Sequence, residues 1–439
     1  MTYTNYYEAL TFLSSYNGRT TRREKGYHHK IMNELLDLFH IDHTGFTFIQ
    51  ITGSCGKGST AQFISTILTH HSIEHGLFTG PHLHKYEERF AINGSLIERE
   101  EFAFIVLDIC EKLKSYPLKD DVGHMHIMIL IALTFFQKHG IKLVVFENGV
   151  GGKTDPSNIF NPLIAVITEI TMDHAHLLGS TIEDIIIDKS CIIKESTRFA
   201  ICGMNNVQAR NFLLKIEHHC NAKFRYLNRD YGFISKVNDT SGSVFDFKGH
   251  DYYFKNLRTR LLGEHQVQNA SNALAVIEAL AECGYSYEKE LLTRAINQAS
   301  MPCRMEMLHI NGVTYLFDGA HNSLELRTLK ESIDTLGLHV SSVLLSISSN
   351  KDVERMIKNI YFENASYIIT PHLFTERNIN QELMLTSLKP IQDIRHYYFQ
   401  HIKDALEQAL KQYERNHIVL VTGSLYLVGY VKDYVLNEG

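Results

Sequence analysis

FTFIQITGSCGKGST, Phe46–Thr60, is a short apolar run, then a glycine-rich turn carrying a lysine and hydroxyls, then the opening of a helix. The run Phe46–Thr52 is β-rich and apolar on both faces, as buried parallel strands are. In Gly53-Ser54-Cys55-Gly56-Lys57-Gly58-Ser59 the glycines let the backbone curl until several N–H groups face one anion. The N-terminus of the following helix adds positive potential there. Lys57 supplies a point charge for phosphate oxygens, and Ser59 offers a hydroxyl to phosphate or Mg²⁺. Nucleotide binding is therefore expected at Gly53, Gly56, Lys57, Gly58, Ser59 and Thr60, on the spacing G-x-x-G-K-x-[ST] rather than G-x-x-x-x-G-K-[ST].

Working outward, Leu143–Glu147, Leu163–Thr168 and Phe199–Cys202 read as further buried strands, with helix-length segments such as Ser59–His70 and Phe102–Leu113 between them. This β-α alternation predicts a doubly wound α/β sheet. Turn clusters at Asn238–Gly242 and Lys248–Asp251 suggest a small inserted antiparallel patch within Lys223–Gln266. From Asn269 to Cys283, alanine and aliphatic residues recur at helical spacing, and Gly284 closes the segment. A second α/β series comes next, with strands expected at Thr314–Phe317, Ser342–Ser346, Tyr367–Thr370 and Ile418–Thr422. The expected domains are 1–297, P-loop-type with the patch, and 298–439, smaller and Rossmann-like.

Composition removes several function classes. Lys and Arg number 43 against 49 Asp and Glu, a net charge of −6, so nothing points to nucleic acid. No stretch reaches the roughly 20 apolar residues a bilayer span needs, and the N-terminus shows no secretory pattern. Seven scattered cysteines, never as C-x-x-C, suit a reducing cytoplasm and no zinc site. The 25 histidines include the adjacent pairs His28-His29, His70-His71 and His218-His219, which do not share a helix face. Glu147 ends a parallel strand, where ligand-binding carboxylates lie.

The loop spacing resembles the Mur ligase superfamily, and the rest of the chain resembles its folylpolyglutamate synthase/dihydrofolate synthase family. Gly53–Ser59 is similar to GTNGKGS. Phe78–Leu83 (FTGPHL) is similar to FTSPHL, with the run Glu88-Arg89-Phe90 just after it. Glu147–Asn158 (ENGVGGKTDPSN) is similar to EVGLGGRLDATN. Asp173-His174, Leu178-Gly179 and Asp188–Lys194 (DKSCIIK) resemble a DH…LG…EKAGIIK stretch. Gly263–Gln266 with Asn269, Pro302-Cys303-Arg304, Asp318–Asn322 and Thr422–Tyr426 come next, in the family's order.

The resemblance implies the Mur ligase architecture and an ATP-dependent ligase, in which a phosphorylated carboxylate is attacked by an amine, most simply L-glutamate added to a folate. It implies Mg²⁺ held by Ser59, Glu147 and His174. Lys57, Lys189 and His174 become catalytic, with Lys189 carbamylated, and Asn269, Arg304 and Asp318 contact ATP. The substrate site falls at His82, Lys153, Asp155, His124 and His126. A small-molecule carboxylate and an amino acid are the expected partners of a cytoplasmic monomer without nucleic acid or membrane.

Three departures stand against the pattern. Gly80 replaces a serine that reaches Mg²⁺. The T-x-F-E segment that holds the pterin is replaced near Gly123-His124-Met125-His126, and Lys153 and Cys303 replace an arginine and a glycine. Two alternatives to folate ligation stand beside it: ligation of an amino acid to another carboxylate, and nucleotide binding without ligation.

Overall fold

The structure, a computed structural model, describes residues 3–16, 26–172, 175–349, 351, 353–373, 386 and 395–437. The chain divides into two compact units. One comprises Met1–Ile234, Asp246–Leu257 and Gln268–Gln298; the other comprises Ser235–Phe245, Arg258–Val267 and Ala299–Gly439.

The strands of the first unit are β1 (Thr47–Thr52), β2 (His75–Phe78), β3 (Phe90–Ile92), β4 (Ser95–Leu96), β5 (Leu143–Glu147), β6 (Ile164–Ile167), β7 (Phe199–Cys202) and β8 (Lys223–Tyr226). They form one eight-stranded sheet in the order β4-β3-β2-β5-β1-β6-β7-β8. Pairing is parallel from β2 across to β8 and antiparallel at β2–β3 and β3–β4. The helices are α1 (Tyr3–Ser14), α2 (Tyr27–Leu38), α3 (Lys57–His70), α4 (Arg99–Leu113), α5 (His124–Lys138), α6 (Ala175–Leu178), α7 (Ile182–Ser190), α8 (Val207–Glu217), α9 (Glu264–Glu282) and α10 (Lys289–Gln298).

The strand order reverses around β1, which lies between β5 and β6. The carboxyl ends of β1, β2, β5 and β6 therefore open on one edge, where open α/β sheets bind ligands. Strand pleating sends Phe48, Phe78, Val144 and Phe146 to one face, where they are buried with residues of α1, α2, α4 and α5. Phe48 stacks on Phe160 at 4.1 Å and Phe78 on Phe146 at 4.6 Å. Helix α5 is buried almost all round, so its apolar run is core rather than one stripe. Each fully buried large side chain there contributes about 1.5–3 kcal/mol.

Two sequence expectations need correction. Lys223–Tyr226 belongs to the main sheet, as β8 parallel to β7. The inserted patch is the smaller set β9 (Gly232–Asp239), β10 (Gly242–Lys248) and β11 (Tyr253–Thr259), a sheet in the order β11-β10-β9. Connections this short join only antiparallel neighbours. A four-residue edge strand leading into turn residues has the same local pattern as a hairpin arm, so sequence alone sets the boundary too early. The helix expected from Asn269 begins at Glu264. Its first turns bury Gln266 and Asn269, polar residues that break the apolar periodicity.

The second unit holds β12 (Glu306–Ile310), β13 (Val313–Phe317), β14 (Val340–Leu345), β15 (Ser366–Ile369), β16 (Arg395–Tyr398) and β17 (Ile418–Thr422), ordered β12-β13-β17-β14-β15-β16. Only β12–β13 is antiparallel. None of the seven cysteines forms a disulfide. Among the described residues no helix is long and apolar enough to cross a membrane.

Candidate functional site

The glycine-rich loop leaves the carboxyl end of β1 and turns into α3, whose N-cap is Gly56. Two of its glycines are required by contact. A Cβ on Gly53 would lie 1.9 Å from Thr168 Oγ1, and one on Gly56, at φ 83°, would lie 2.4 Å from Asn269 Oδ1. Thr168 Oγ1 donates to the Cys55 carbonyl at 2.7 Å and packs the loop against the end of β6. Lys57 Nζ donates to the Gly53 carbonyl at 3.1 Å, folding the lysine back over the loop. Thr60 is fully buried, yet its hydroxyl has no hydrogen-bond partner among the described residues. A buried hydroxyl left unpaired costs about 1–3 kcal/mol. An anion seated on the loop would satisfy it, so these residues fit a nucleotide phosphate.

Lys189, on α7, is buried, and its Nζ donates to the same Gly53 carbonyl at 2.9 Å. Both candidate catalytic lysines therefore converge on one backbone oxygen. Glu147 ends β5, is buried, and accepts the Gly80 backbone N–H on Oε2 at 3.0 Å. At Gly80 the serine of the pattern is missing, and a Cβ there would stand 2.9 Å from Arg89 Nη1. The guanidinium thus occupies the side-chain space, and the backbone amide serves Glu147. Ser59 is buried on the first turn of α3. A hard carboxylate and a hydroxyl are the donors Mg²⁺ takes, so the set fits it. His174 lies outside the described residues. Among the described residues no three His, Cys, Asp or Glu side chains form a metal-binding group.

The implied substrate residues separate into different settings. Asp155 is buried and clamps the loop after β5. Its Oδ1 accepts the Ser157 N–H at 2.9 Å and the Ser157 hydroxyl at 2.6 Å, while Oδ2 accepts Gly149 N–H at 3.1 Å and Val150 N–H at 3.2 Å. Burial raises its carboxyl above the usual range. Lys153 is exposed, with its backbone N–H donated to the Asp188 carbonyl at 3.0 Å.

His82 accepts Arg89 Nε–H on Nδ1 at 2.9 Å, and its ring lies 4.3 Å from that of Tyr86. The His124 ring lies 5.9 Å from that of Tyr86. Burial first, then the Arg89 charge, pushes His82 down to about 3 and His124 to about 4. His126 is committed at both ring nitrogens. Nδ1 accepts Gly123 N–H at 2.9 Å, and Nε2 faces His28 Nδ1 at 3.4 Å. Burial first, and His28 second, takes it to about 3. Imidazoles so depressed are neutral near pH 7.

Arg304 and Asp318 lie in the second unit. Asp318 is buried at the end of β13, accepting Ala320 N–H and Met305 N–H at 2.8 Å each. Burial pushes it up to about 6 against the opposing pull of Arg304. Sequence reading missed Thr168 and Glu169, whose side chain accepts Asn205 N–H at 2.8 Å. Their one sequence signal is position, immediately after a parallel strand.

A family model for the Mur ligase middle domain matches residues 51–277, and one for the Mur ligase glutamate ligase domain matches 303–425. The chain is 28% identical over 388 residues to the dihydrofolate synthase/folylpolyglutamate synthase of Bacillus subtilis, spanning 87% of this chain and 89% of that protein. The crystal structure of folylpolyglutamate synthase from Thermotoga maritima superposes with a TM-score of 0.82 at 25% identity, over 99% of this chain and 98% of that one. The Mycobacterium tuberculosis enzyme complexed with ADP and AMPPCP gives 0.87 at 21% identity, over 98% and 99%, a likeness of fold.

Proposed function

The chain belongs to the Mur ligase family, in its folylpolyglutamate synthase/dihydrofolate synthase branch, and from that premise we propose that it joins L-glutamate to a folate carboxylate in an ATP-dependent reaction. The observation that carries the reading is the loop at the end of β1. There Lys57 and Lys189 both donate to the Gly53 carbonyl, beside the unpaired buried hydroxyl of Thr60.

The substrate carboxylate oxygen attacks the γ-phosphorus and ADP leaves. The amine nitrogen then attacks the acyl carbon, phosphate leaves with the bonding pair, and the ammonium proton is lost. Loop N–H groups, the Thr60 hydroxyl and the Lys57 ammonium bind the phosphates. Ser59, Glu147 and His174 would hold Mg²⁺, which neutralises phosphate charge when bound. We assign Lys189 as the carbamylated residue. A carbamate there would keep one N–H for the Gly53 carbonyl and would supply anionic oxygens that a hard cation takes. Asn269, Arg304 and Asp318 are assigned to ATP, and His82, His124 and Lys153 to the acyl substrate. The proposed domains are 1–297 and 298–439, in a cytoplasmic monomer.

The test is product formation. Purified protein with ATP, Mg²⁺, L-glutamate and either dihydropteroate or tetrahydrofolate should yield ADP and an acid heavier by one glutamyl residue. Absence of that product with every pterin acid, under conditions where ADP binds, would remove the folate reading.

A further inference from the structure

Helix α3 runs from the phosphate loop, with Lys57 as its first residue, to His70, and His71 caps its carboxyl end. Both histidines turn back on the helix. His70 Nδ1 lies 2.9 Å from the Thr66 carbonyl, and His71 Nδ1 lies 2.7 Å from the Ile67 carbonyl. A carbonyl only accepts, so Nδ1 carries the proton in each ring, an assignment made from the contacts. The two rings then reach opposite ends of α10, which packs along α3. His71 Nε2 accepts the Glu288 N–H at 2.9 Å, and the Glu288 carbonyl takes the first hydrogen bond of α10, from Leu292 at 3.0 Å. His70 Nε2 stands 2.8 Å from the side-chain amide of Gln298, the last residue of α10.

These anchors lie ten residues apart in sequence, roughly 15 Å along a helix. Adjacent side chains at the end of α3 diverge by about 100°, so the two rings form a fork that holds α10 against sliding along its axis. Apolar packing alone does not set that position. Helix α10 buries Leu292, Ala295 and Ile296. Just before its start, though, a cleft of about 210 Å³, partly open to solvent, remains among Ile67, Leu68 and His71, Ile277 and Leu280 of α9, and Tyr287. Side chains that leave space unfilled do not lock their neighbours as a close-packed interior does, and there the Glu288 hydrogen bond does so. Gln298 ends the first unit, the second resumes at Ala299, and Arg304 follows six residues after Gln298.

We propose that His70 and His71 are positioning residues for ligation: gripping α10 at both ends, they fix the point at which the chain leaves the phosphate-loop unit for Arg304. Neither histidine touches substrate; each acts through Arg304, assigned above to ATP. The inference rests on the ligase reading.

Hydrogen exchange by mass spectrometry, thermal melts and steady-state ligation of the pterin acid test it on wild type, His70→Ala, His71→Ala, the double variant and His71→Gln. Removing His71 strips the Glu288 N–H of its acceptor, so the segment 286–290 should exchange at least about fivefold faster. Well below the melting temperature, kcat of the double variant should fall at least about tenfold, the scale of a small misplacement made far from the chemistry. The KM for the pterin acid should stay within about twofold, the scatter of a neutral change. His71→Gln, whose amide oxygen accepts, should recover most of the rate. Each single variant loses one prong of the fork and should show a smaller fall in kcat, so the test stands even where the double variant does not fold. Faster exchange with wild-type kcat marks a merely structural role and overturns this proposal alone. So does unchanged exchange, or a raised pterin-acid KM at constant kcat. Wild-type protein that ligates no amino acid to any pterin acid overturns it together with the ligase reading.

Discussion

Gly56→Ala tests whether the phosphate loop is built as described, because its cost has two separable parts. The first is backbone: at φ 83° a residue with a Cβ is strained by about 1–2 kcal/mol. The second is contact. The new carbon would sit 2.4 Å from Asn269 Oδ1 and 3.2 Å from Asn269 Cγ, against about 3.5–4.0 Å for an optimal carbon contact. Asn269 must leave its rotamer, adding about 0.5–1.5 kcal/mol. The single substitution should therefore cost about 2–3 kcal/mol. In an Asn269→Ala background only the backbone part remains, so the cycle should show a coupling of about 1 kcal/mol. Urea unfolding of the nucleotide-free protein measures both, and ADP titration by calorimetry should show the single variant binding more weakly. An equal cost of Gly56→Ala in the two backgrounds would refute the contact argument, and no cost in either would refute the loop conformation.

Thr60→Val removes an unpaired hydroxyl while keeping its shape. Unfolding stability should hold or rise, and ADP affinity should fall about tenfold if the hydroxyl serves a phosphate; unchanged affinity would reject that role. Asp155→Ala strips the partners from Gly149, Val150 and Ser157 N–H. It should destabilise by at least about 2 kcal/mol and abolish ligation, while ADP still binds by calorimetry. Asp318, at about 6 in the fold against an ordinary 3.8, binds its proton more tightly folded than unfolded. Its contribution to stability is complete below pH 3.8 and is lost as pH rises through about 6. The stability of wild type relative to Asp318→Asn, followed by thermal melts, should decline over that window; a flat difference would contradict the buried placement.

The strands on either side of the phosphate loop were legible because parallel strands buried on both faces are continuous apolar runs. Phe46–Thr52 and Leu143–Glu147 differ little from the observed β1 and β5. Two hairpins were passed over, although each holds an Asn-Gly turn with positive φ at both residues: Asn93-Gly94 between β3 and β4, and Asn311-Gly312 between β12 and β13. Their flanking strands are short or half-exposed, so the turn was the only signal. Lys57, Glu147 and Lys189 were legible from motif and strand end. Thr60's missing partner, the Thr168 packing and the His28–His126 contact were not, because each depends on residues far apart in sequence.

The central claim, that a carboxylate is activated by phosphorylation before an amine displaces phosphate, is tested most directly by isotope transfer. With a pterin acid bearing ¹⁸O in its reacting carboxylate, ATP and L-glutamate, one labelled oxygen should appear in the inorganic phosphate for each amide formed. Amide product accompanied by unlabelled phosphate would contradict the account.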